Sequence, residues 1–218
     1  MHNSVPLLLR SSSMKLYIMP GACSLADHIL LRWSGSSFDL QFLDHQSMKA
    51  PEYLALNPSG AVPALQVGDW VLTQNAAILN YITDIAPAER GLSGDGSLKA
   101  RAEINRWIAF SNADVHPMYW ALFGGTTYLQ DPQMIARSQE NARQKLRVLY
   151  QRADAHLKHH NWLANGQRSG ADAYLYVTLR WAKKVGVDLS SLDALSAFFE
   201  RMEADPGVQA ALQAEGLI

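Results

Sequence analysis

Apolar residues recur along this chain at two spacings, the alternation of a strand and the period of about 3.6 residues of a helix. The first part of the chain contains both. Residues 15–19 form a short β-type run that ends at a Pro-Gly pair. Residues 24–33 carry apolar side chains at helical spacing, and Gly35 follows where a left-handed helix cap is expected. Residues 38–43 alternate between apolar and polar side chains, which predicts a second strand. A strand, helix, strand order with a short crossover predicts that the two strands are parallel.

A β-hairpin and a further helix are predicted next. Residues 62–67 and 70–73 are β-type runs that flank Gly68-Asp69, a two-residue turn typical of hairpins. Helical periodicity then covers residues 75–85. The predicted order is therefore β-α-β followed by β-β-α, which is the order of a thioredoxin-like fold.

A polar linker separates this α/β part from a part with helical character only. Residues 86–97 collect Pro, Gly and Ser, and no strand pattern follows them. A change from mixed α/β to all-α at such a linker predicts two domains, at residues 14–90 and 98–218. Residues 1–13 are interpreted as a disordered extension. Helical periodicity is found at residues 98–114, 132–157, 172–185 and 192–204.

Composition and charge narrow the class of protein. Hydrophobic residues make up 48% of the chain and charged residues 18%, as in globular proteins. The formal net charge of -1 provides no overall basic field for nucleic acid. No apolar run approaches the ~18 residues that a membrane helix needs. The run at residues 5–9 is interrupted by Pro6 and falls short of the ~7–15-residue core of a signal peptide. A single cysteine fits a reducing compartment, so the cytoplasm is predicted.

Three histidines near residue 160 are a candidate metal site. No carboxylate or cysteine has matching spacing around them. A solvated helix end, with cationic side chains near the negative end of the helix dipole, is the favoured interpretation, and no metal is predicted. The histidines are His156, His159 and His160.

Cys23 is the only cysteine, and it follows the Pro-Gly turn at the start of the first predicted helix. The free N–H groups and the dipole of a helix N-terminus favour the thiolate form. Thioredoxins carry a second cysteine three residues later, where this chain has Ala26. Disulfide chemistry here therefore needs an external thiol, and glutathione is the obvious intracellular one. The alternative is an unreactive cysteine packed beneath the turn.

Two further features lie where a ligand is expected. Val62-Pro63 opens the third predicted strand, and a proline there indicates a special backbone geometry such as a cis bond. Gln74-Asn75 begins the next helix, where free backbone N–H groups favour an anion.

A series of segments identifies a family resemblance. In chain order they are Met14-Lys-Leu-Tyr, Pro20-Gly-Ala-Cys-Ser-Leu-Ala, Asn57-Pro-Ser-Gly-Ala-Val-Pro-Ala-Leu, Leu72-Thr-Gln-Asn-Ala-Ala-Ile, Gly166-Gln-Arg, Ala171-Asp-Ala-Tyr-Leu, Leu179-Arg-Trp-Ala and Ala214-Glu-Gly-Leu. With these segments the chain resembles, from Met14 to its end, the beta class of bacterial glutathione transferases. The resemblance implies a glutathione-binding thioredoxin-like domain and an all-helical domain that forms the second-substrate pocket.

The resemblance also implies a homodimeric, detoxifying enzyme with glutathione as its co-substrate. Such an enzyme activates the glutathione thiol for conjugation to hydrophobic electrophiles, with glutathione-dependent disulfide or peroxide reduction through Cys23 as a further activity. The alternative is a non-catalytic ligand carrier or adaptor on the same fold.

Catalytic roles are implied for three residues. Cys23 would lie beside the glutathione sulfur, where it forms a mixed disulfide or helps to stabilise the thiolate. Ser24 would be a hydroxyl donor to that thiolate, or else an N-terminal helix cap. His116 would face the thiol across the cleft, with a purely structural histidine as the alternative.

Glutathione-binding roles are implied for five residues. The backbone of Val62, before Pro63, would pair with the cysteinyl unit of glutathione like an added strand. Gln74 and Asn75 would bind the γ-glutamyl end through their N–H groups and side chains. Lys49 belongs to the same implied set.

Three positions depart from the family pattern. Gln74 stands where glutamate is usual, Ala109 where asparagine is usual, and Pro117 where lysine is usual. Asn112 lies closer to the histidine and is a candidate substitute for the missing amide. Pro117 is expected to kink its helix and reshape the second-substrate pocket.

Two further predictions concern the helical part. Ser169 and Asp172 match a buried capping box of the family, which is a structural and not a catalytic feature. Three aromatic residues either line the second-substrate pocket or pack between helices. They are Trp120, Phe123 and Tyr128.

Overall fold

A four-stranded sheet forms the first part of the computed structural model, which describes residues 14–218. The extension predicted at residues 1–13 lies outside the described residues. The strands are β1 (Met14–Ile18), β2 (Phe38–Phe42), β3 (Ala64–Val67) and β4 (Trp70–Thr73). The sheet order is β2-β1-β3-β4, with β1 and β2 parallel and the other two pairs antiparallel. The predicted parallel pair and hairpin are both confirmed.

Three helices pack around this sheet, and two of them were predicted. They are α1 (Ser24–Ser34), α2 (Pro51–Leu56) and α3 (Asn75–Ile85). Gly35 caps α1 with a φ of 72°, the left-handed conformation expected at this position. α1 is buried on nearly every side because α3 and two helices from the second part of the chain cover it.

The second part is helical among the described residues, as predicted. Its helices are α4 (Leu98–Ala109), α5 (Tyr119–Leu122), α6 (Pro132–Leu157), α7 (Gly170–Lys184), α8 (Asp193–Glu203) and α9 (Pro206–Ala214). α7 and α9 are the two that pack against α1. One hydrophobic core therefore continues from Leu16 in the sheet to Tyr174 in α7. Within residues 14–218, no helix combines the length and apolar character needed to cross a membrane.

The helix predicted at residues 98–114 is not continuous. α4 ends at Ala109, and the chain goes on as a π-helical turn (Phe110–Val115) and a 3₁₀ turn (His116–Met118). Pro117 has no N–H to donate to the carbonyl four residues earlier, so a regular α-helix cannot pass through it. The disruption expected at Pro117 is found, and it extends upstream to Phe110.

Candidate functional site

A cleft of about 140 Å³ opens where the start of α1, the start of α3 and the helical part meet. Six residues predicted for the site lie in its wall. The lining residues are Cys23, Asn57, Ser59, Ala61, Val62, Pro63, Thr73, Gln74, Asn75, Asn112, His116 and Tyr174.

Cys23 is half-buried at the N-terminus of α1 and faces the loop before β3. Its thiol donates a weak hydrogen bond to the carbonyl oxygen of Val62, with 3.6 Å between sulfur and oxygen. The bond between Val62 and Pro63 is cis, as anticipated from the sequence. The loop thus places a backbone carbonyl directly beside the only thiol of the chain.

The ionisation of this thiol differs from the sequence-based expectation. Burial, reinforced by the carboxyl group of Asp27, raises the pKa of Cys23 to about 12. The backbone N–H groups of Cys23 and Ser24 act in the opposite direction, as expected at a helix N-terminus, but their effect is smaller. The expected effect of the helix N-terminus is therefore present, but burial outweighs it and favours the neutral thiol of Cys23.

Ser24 takes neither of the two roles considered for it. Its side chain is fully buried, and its hydroxyl lies 3.4 Å from both the backbone nitrogen and the backbone oxygen of Met19. Cys23 is the N-cap residue of α1, and its side chain makes no capping hydrogen bond. Ser24 therefore ties the end of β1 to the start of α1, behind the cleft.

Gln74 and Asn75 lie at the start of α3, as predicted, but their side chains differ in accessibility. Gln74 is exposed, with φ of 75° and ψ of 114°, a conformation that is strained for a residue with a side chain. Asn75 is buried, and with its amide nitrogen turned towards Asp27 it donates to both carboxyl oxygens at 2.6 and 3.1 Å. Its side chain is thus engaged within the protein, and its backbone N–H is the group left for a ligand.

Lys49 lies outside the cleft wall. Its side chain is exposed, and its ammonium group donates to the carbonyl oxygen of Gly60 at 2.8 Å. This hydrogen bond secures the loop that leads to Val62. The structure therefore gives Lys49 a supporting position near the site.

His116 faces the cleft from the 3₁₀ turn after the π-helical turn. Its Nδ1 lies 2.6 Å from the hydroxyl of Tyr174, and that hydroxyl donates to Oδ1 of Asn112 at 3.2 Å. Because the hydroxyl has one proton, it accepts from Nδ1–H, which assigns the lone pair to Nε2. Burial lowers the pKa of His116, so the ring is neutral at physiological pH. His116 is therefore available as a proton acceptor.

Two residues at or behind the cleft wall were not expected from the sequence, and one was anticipated only as a substitute. Tyr174 lies in a matching segment but was not singled out, because α7 is buried on almost all sides. Asp27 gave no signal of a special role, because an acidic residue is common in the first turn of any helix. Asn112, considered as a replacement for the missing amide, does lie in the cleft wall beside His116.

The three aromatic residues considered for the second-substrate pocket lie outside the cleft wall. Trp120, Phe123 and Tyr128 are 57%, 52% and 69% exposed. Phe123 stacks on Tyr119 with 5.5 Å between ring centroids, in line with the packing alternative for that residue.

Two predictions for the helical part remain, the capping box and the histidines near residue 160. The backbone N–H of Ser169 donates to Asp172 Oδ2 at 2.8 Å, which confirms the capping box. His156 pairs with the carbonyl oxygen of Leu163. Among residues 14–218, no group of three or more His, Cys, Asp or Glu side chains is arranged to hold a metal ion.

Comparisons with known proteins agree with the geometry of the cleft. Family models described as the glutathione S-transferase N-terminal and C-terminal domains match residues 12–84 and 120–206. A curated glutathione S-transferase of Xanthomonas campestris pv. campestris is 66% identical over 204 residues, which covers 94% of this chain and 100% of the relative.

Solved structures give the same result. A glutathione S-transferase from Xylella fastidiosa superposes with a TM-score of 0.94 at 98% identity, covering 94% of this chain and 100% of that one. A sphingomonad glutathione S-transferase complexed with glutathione has a TM-score of 0.82 at 37% identity, with the same coverage of both chains.

Proposed function

Because this chain belongs to the glutathione S-transferase family, we propose that its cleft binds glutathione and directs the glutathione thiol at hydrophobic electrophiles. One observation carries this proposal: Cys23, the Val62 backbone and the N-terminus of α3 line the same cleft. The sphingomonad relative, 37% identical, was solved in complex with glutathione. A non-catalytic adaptor is not favoured, because these groups and His116 lie together.

Glutathione is an extended tripeptide with a carboxylate at each end, and the cleft offers complementary groups for its cysteinyl and γ-glutamyl parts. The backbone of Val62 pairs with the cysteinyl unit as an added strand would. The free N–H groups at the start of α3 receive the γ-glutamyl carboxylate. Because the Cys23 sulfur lies 3.6 Å from the Val62 oxygen, a cysteinyl unit paired with Val62 has its own sulfur beside Cys23.

Activation of the bound thiol uses two groups with different roles. His116 is neutral and accepts the proton that leaves the glutathione thiol. Cys23 retains its proton, and its S–H donates to the resulting thiolate and stabilises the negative charge. The thiolate then attacks an electrophilic carbon, a C–S bond forms, and the leaving group departs with the bonding electron pair.

Thiol–disulfide exchange through Cys23 is a second proposed activity, supported by the partial exposure of this single thiol in the cleft. The Cys23 thiolate attacks a mixed disulfide of glutathione and releases the other thiolate. A glutathione thiolate then attacks the protein mixed disulfide, which yields glutathione disulfide and regenerates Cys23. The raised pKa of Cys23 makes this route slow at neutral pH.

The broader assignment follows the motifs. We assign the chain to the beta class, with a glutathione-binding domain at 14–90 and a helical domain at 98–218 that supplies the second-substrate pocket. The proposed functional unit is a homodimer in the cytoplasm, where glutathione is abundant and a lone cysteine stays reduced.

Calorimetric titration of the reduced protein with glutathione tests the proposal. Saturable binding is expected between about micromolar and low-millimolar concentrations. Gln74→Ala is expected to weaken binding, whereas the matched control Gln133→Ala changes an exposed glutamine of α6 and leaves it intact. Absence of heat with the folded wild-type protein would contradict the proposal. Conjugation of a chromogenic nitroaromatic electrophile then measures the activity.

A further inference from the structure

Asp27 is a fully buried acid that the proposed reaction does not use. It lies in the first turn of α1, one helical turn after Cys23, with 0% exposure. None of the ion pairs formed within residues 14–218 includes it. Burying a carboxylate without a cation costs folding free energy unless neighbouring groups hydrogen-bond to it.

Three elements contribute the groups that face Asp27. Cys23 precedes it on α1, and its thiol ionises less readily because of the Asp27 charge. Asn75 at the start of α3 donates to both carboxyl oxygens at 2.6 and 3.1 Å. Tyr174 of α7 lies near the same two groups. Burial raises the pKa of its hydroxyl most, and the charges of Cys23 and Asp27 raise that pKa further. Asp27 thus lies behind the floor of the cleft, among residues that line it.

We propose that Asp27 is a positioning residue, which orients the Asn75 amide at the floor of the cleft and restrains the reactivity of the Cys23 thiol. For its role in catalysis this inference rests on the proposed function. The effect on the thiol is independent of glutathione.

The physical reason lies in two acids that share one poorly solvated region. A negative charge on either group disfavours a second charge one helical turn away. Burial raises the pKa of both groups, and a charge on the carboxyl group holds the proton on Cys23. Asp27 therefore keeps Cys23 as a hydrogen-bond donor and opposes its use as a nucleophile.

The test measures alkylation of Cys23 by iodoacetamide as a function of pH. Cys23 is the only cysteine, so the reaction reports on this thiol alone. Asp27→Asn removes the ionisable carboxyl group and keeps an oxygen for the Asn75 amide. It is expected to accelerate alkylation about threefold or more at about pH 8 and to move the pH midpoint downward. The matched control is Asp39→Asn, at an exposed acid of β2.

A second variant separates positioning from charge. Asp27→Ala removes both, so it is expected to bind glutathione several-fold more weakly than Asp27→Asn. A pH profile of alkylation in folded Asp27→Asn that equals the Asp39→Asn profile would overturn the inference. Faster alkylation in Asp27→Asn, with no glutathione binding by wild type, would support it while rejecting the proposed function. Circular dichroism and thermal melting establish that each variant is folded.

Discussion

The backbone N–H of Gly21 donates to Oε2 of Glu215 at 2.9 Å, across 194 positions of sequence. The other oxygen of the same buried carboxylate lies 2.9 Å from Nδ1 of His28 in α1. The carbonyl oxygen of Gly21 accepts from the Trp181 indole of α7 at 2.8 Å. The turn before Cys23 is thus fixed by groups from the helical part, and the sheet part does not position the thiol alone.

Removing the Glu215 carboxylate is expected to destabilise the fold. Glu215→Ala leaves the Gly21 N–H and the His28 ring without their buried acceptor, which costs about 2–4 kcal/mol of unfolding free energy. Urea denaturation measures the difference. Glu200→Ala, at an exposed glutamate of α8, is the matched control and is expected to change stability by less than about 0.5 kcal/mol. Equal losses in the two variants would contradict the role assigned to Glu215.

Cys23→Ala is expected to separate the two proposed activities. Thiol–disulfide exchange passes through a protein mixed disulfide, so the variant should lose it. Conjugation uses the thiolate of glutathione and should continue at a reduced rate, because one hydrogen-bond donor is gone. Steady-state assays with an electrophile and with a glutathione mixed disulfide measure the two rates. If both rates match those of wild type, the roles proposed for Cys23 are wrong.

His116 is expected to make the fold less stable as the pH falls. Burial holds its pKa in the folded protein below the ordinary value of 6.5. The unfolded chain therefore takes up a proton first, and stability that is present above about pH 6.5 is lost below it. His116→Gln lacks this loss, so its stability deficit relative to wild type should narrow between about pH 7.5 and about pH 5.5.

Urea midpoints at the two pH values measure the trend. The matched control is His159→Gln at an exposed histidine. An equal trend in both variants would contradict the assignment to His116.

Asp172→Ala is expected to cost more than the loss of an exposed helix cap. The Asp172 carboxylate accepts from the Ser169 backbone and hydroxyl and from the Leu163 backbone, at 2.8, 2.9 and 2.9 Å. Removing it leaves buried donors unpaired and should cost about 2–4 kcal/mol. Asp131→Ala removes the cap of α6, whose hydrogen bonds from the Gln133 and Met134 backbone are exposed, and should cost about 1 kcal/mol. Similar shifts of the urea midpoint in the two variants would show that burial of the capping box adds nothing.

The regular elements could be predicted because their signals are local. The alternation of apolar and polar residues predicted β2, and the Gly68-Asp69 turn predicted the hairpin. Helical spacing predicted the bounds of α3 and α6 to within a residue. The π-helical turn was not predictable in this way. Residues 98–114 keep a helical period, and the irregularity arises where Pro117 meets the packing of neighbouring helices.

Only those site residues that belong to recognisable sequence motifs could be predicted. Cys23 and Val62 stand in segments whose order and spacing identify them, whereas His116 was expected only from the family resemblance. Asp27 and Asn75 are 48 positions apart in sequence, and only the fold brings them together. The protonation state of Cys23 could not be predicted from the sequence either. A helix N-terminus gives the direction of one electrostatic effect, whereas burial, which outweighs it here, depends on the whole fold.

The π-helical turn Phe110–Val115 has an evolutionary consequence. An α-helix advances by about 100° per residue, so one residue added to a turn rotates everything after it by about that angle. His116 follows this turn directly and meets the Tyr174 hydroxyl in the rotated position. Deleting one residue from the turn would return the backbone to α-helical register and aim the imidazole away from the cleft. Insertion or loss of a single codon here would therefore re-aim the imidazole that is proposed to accept the glutathione proton, and the rest of the cleft would stay as it is.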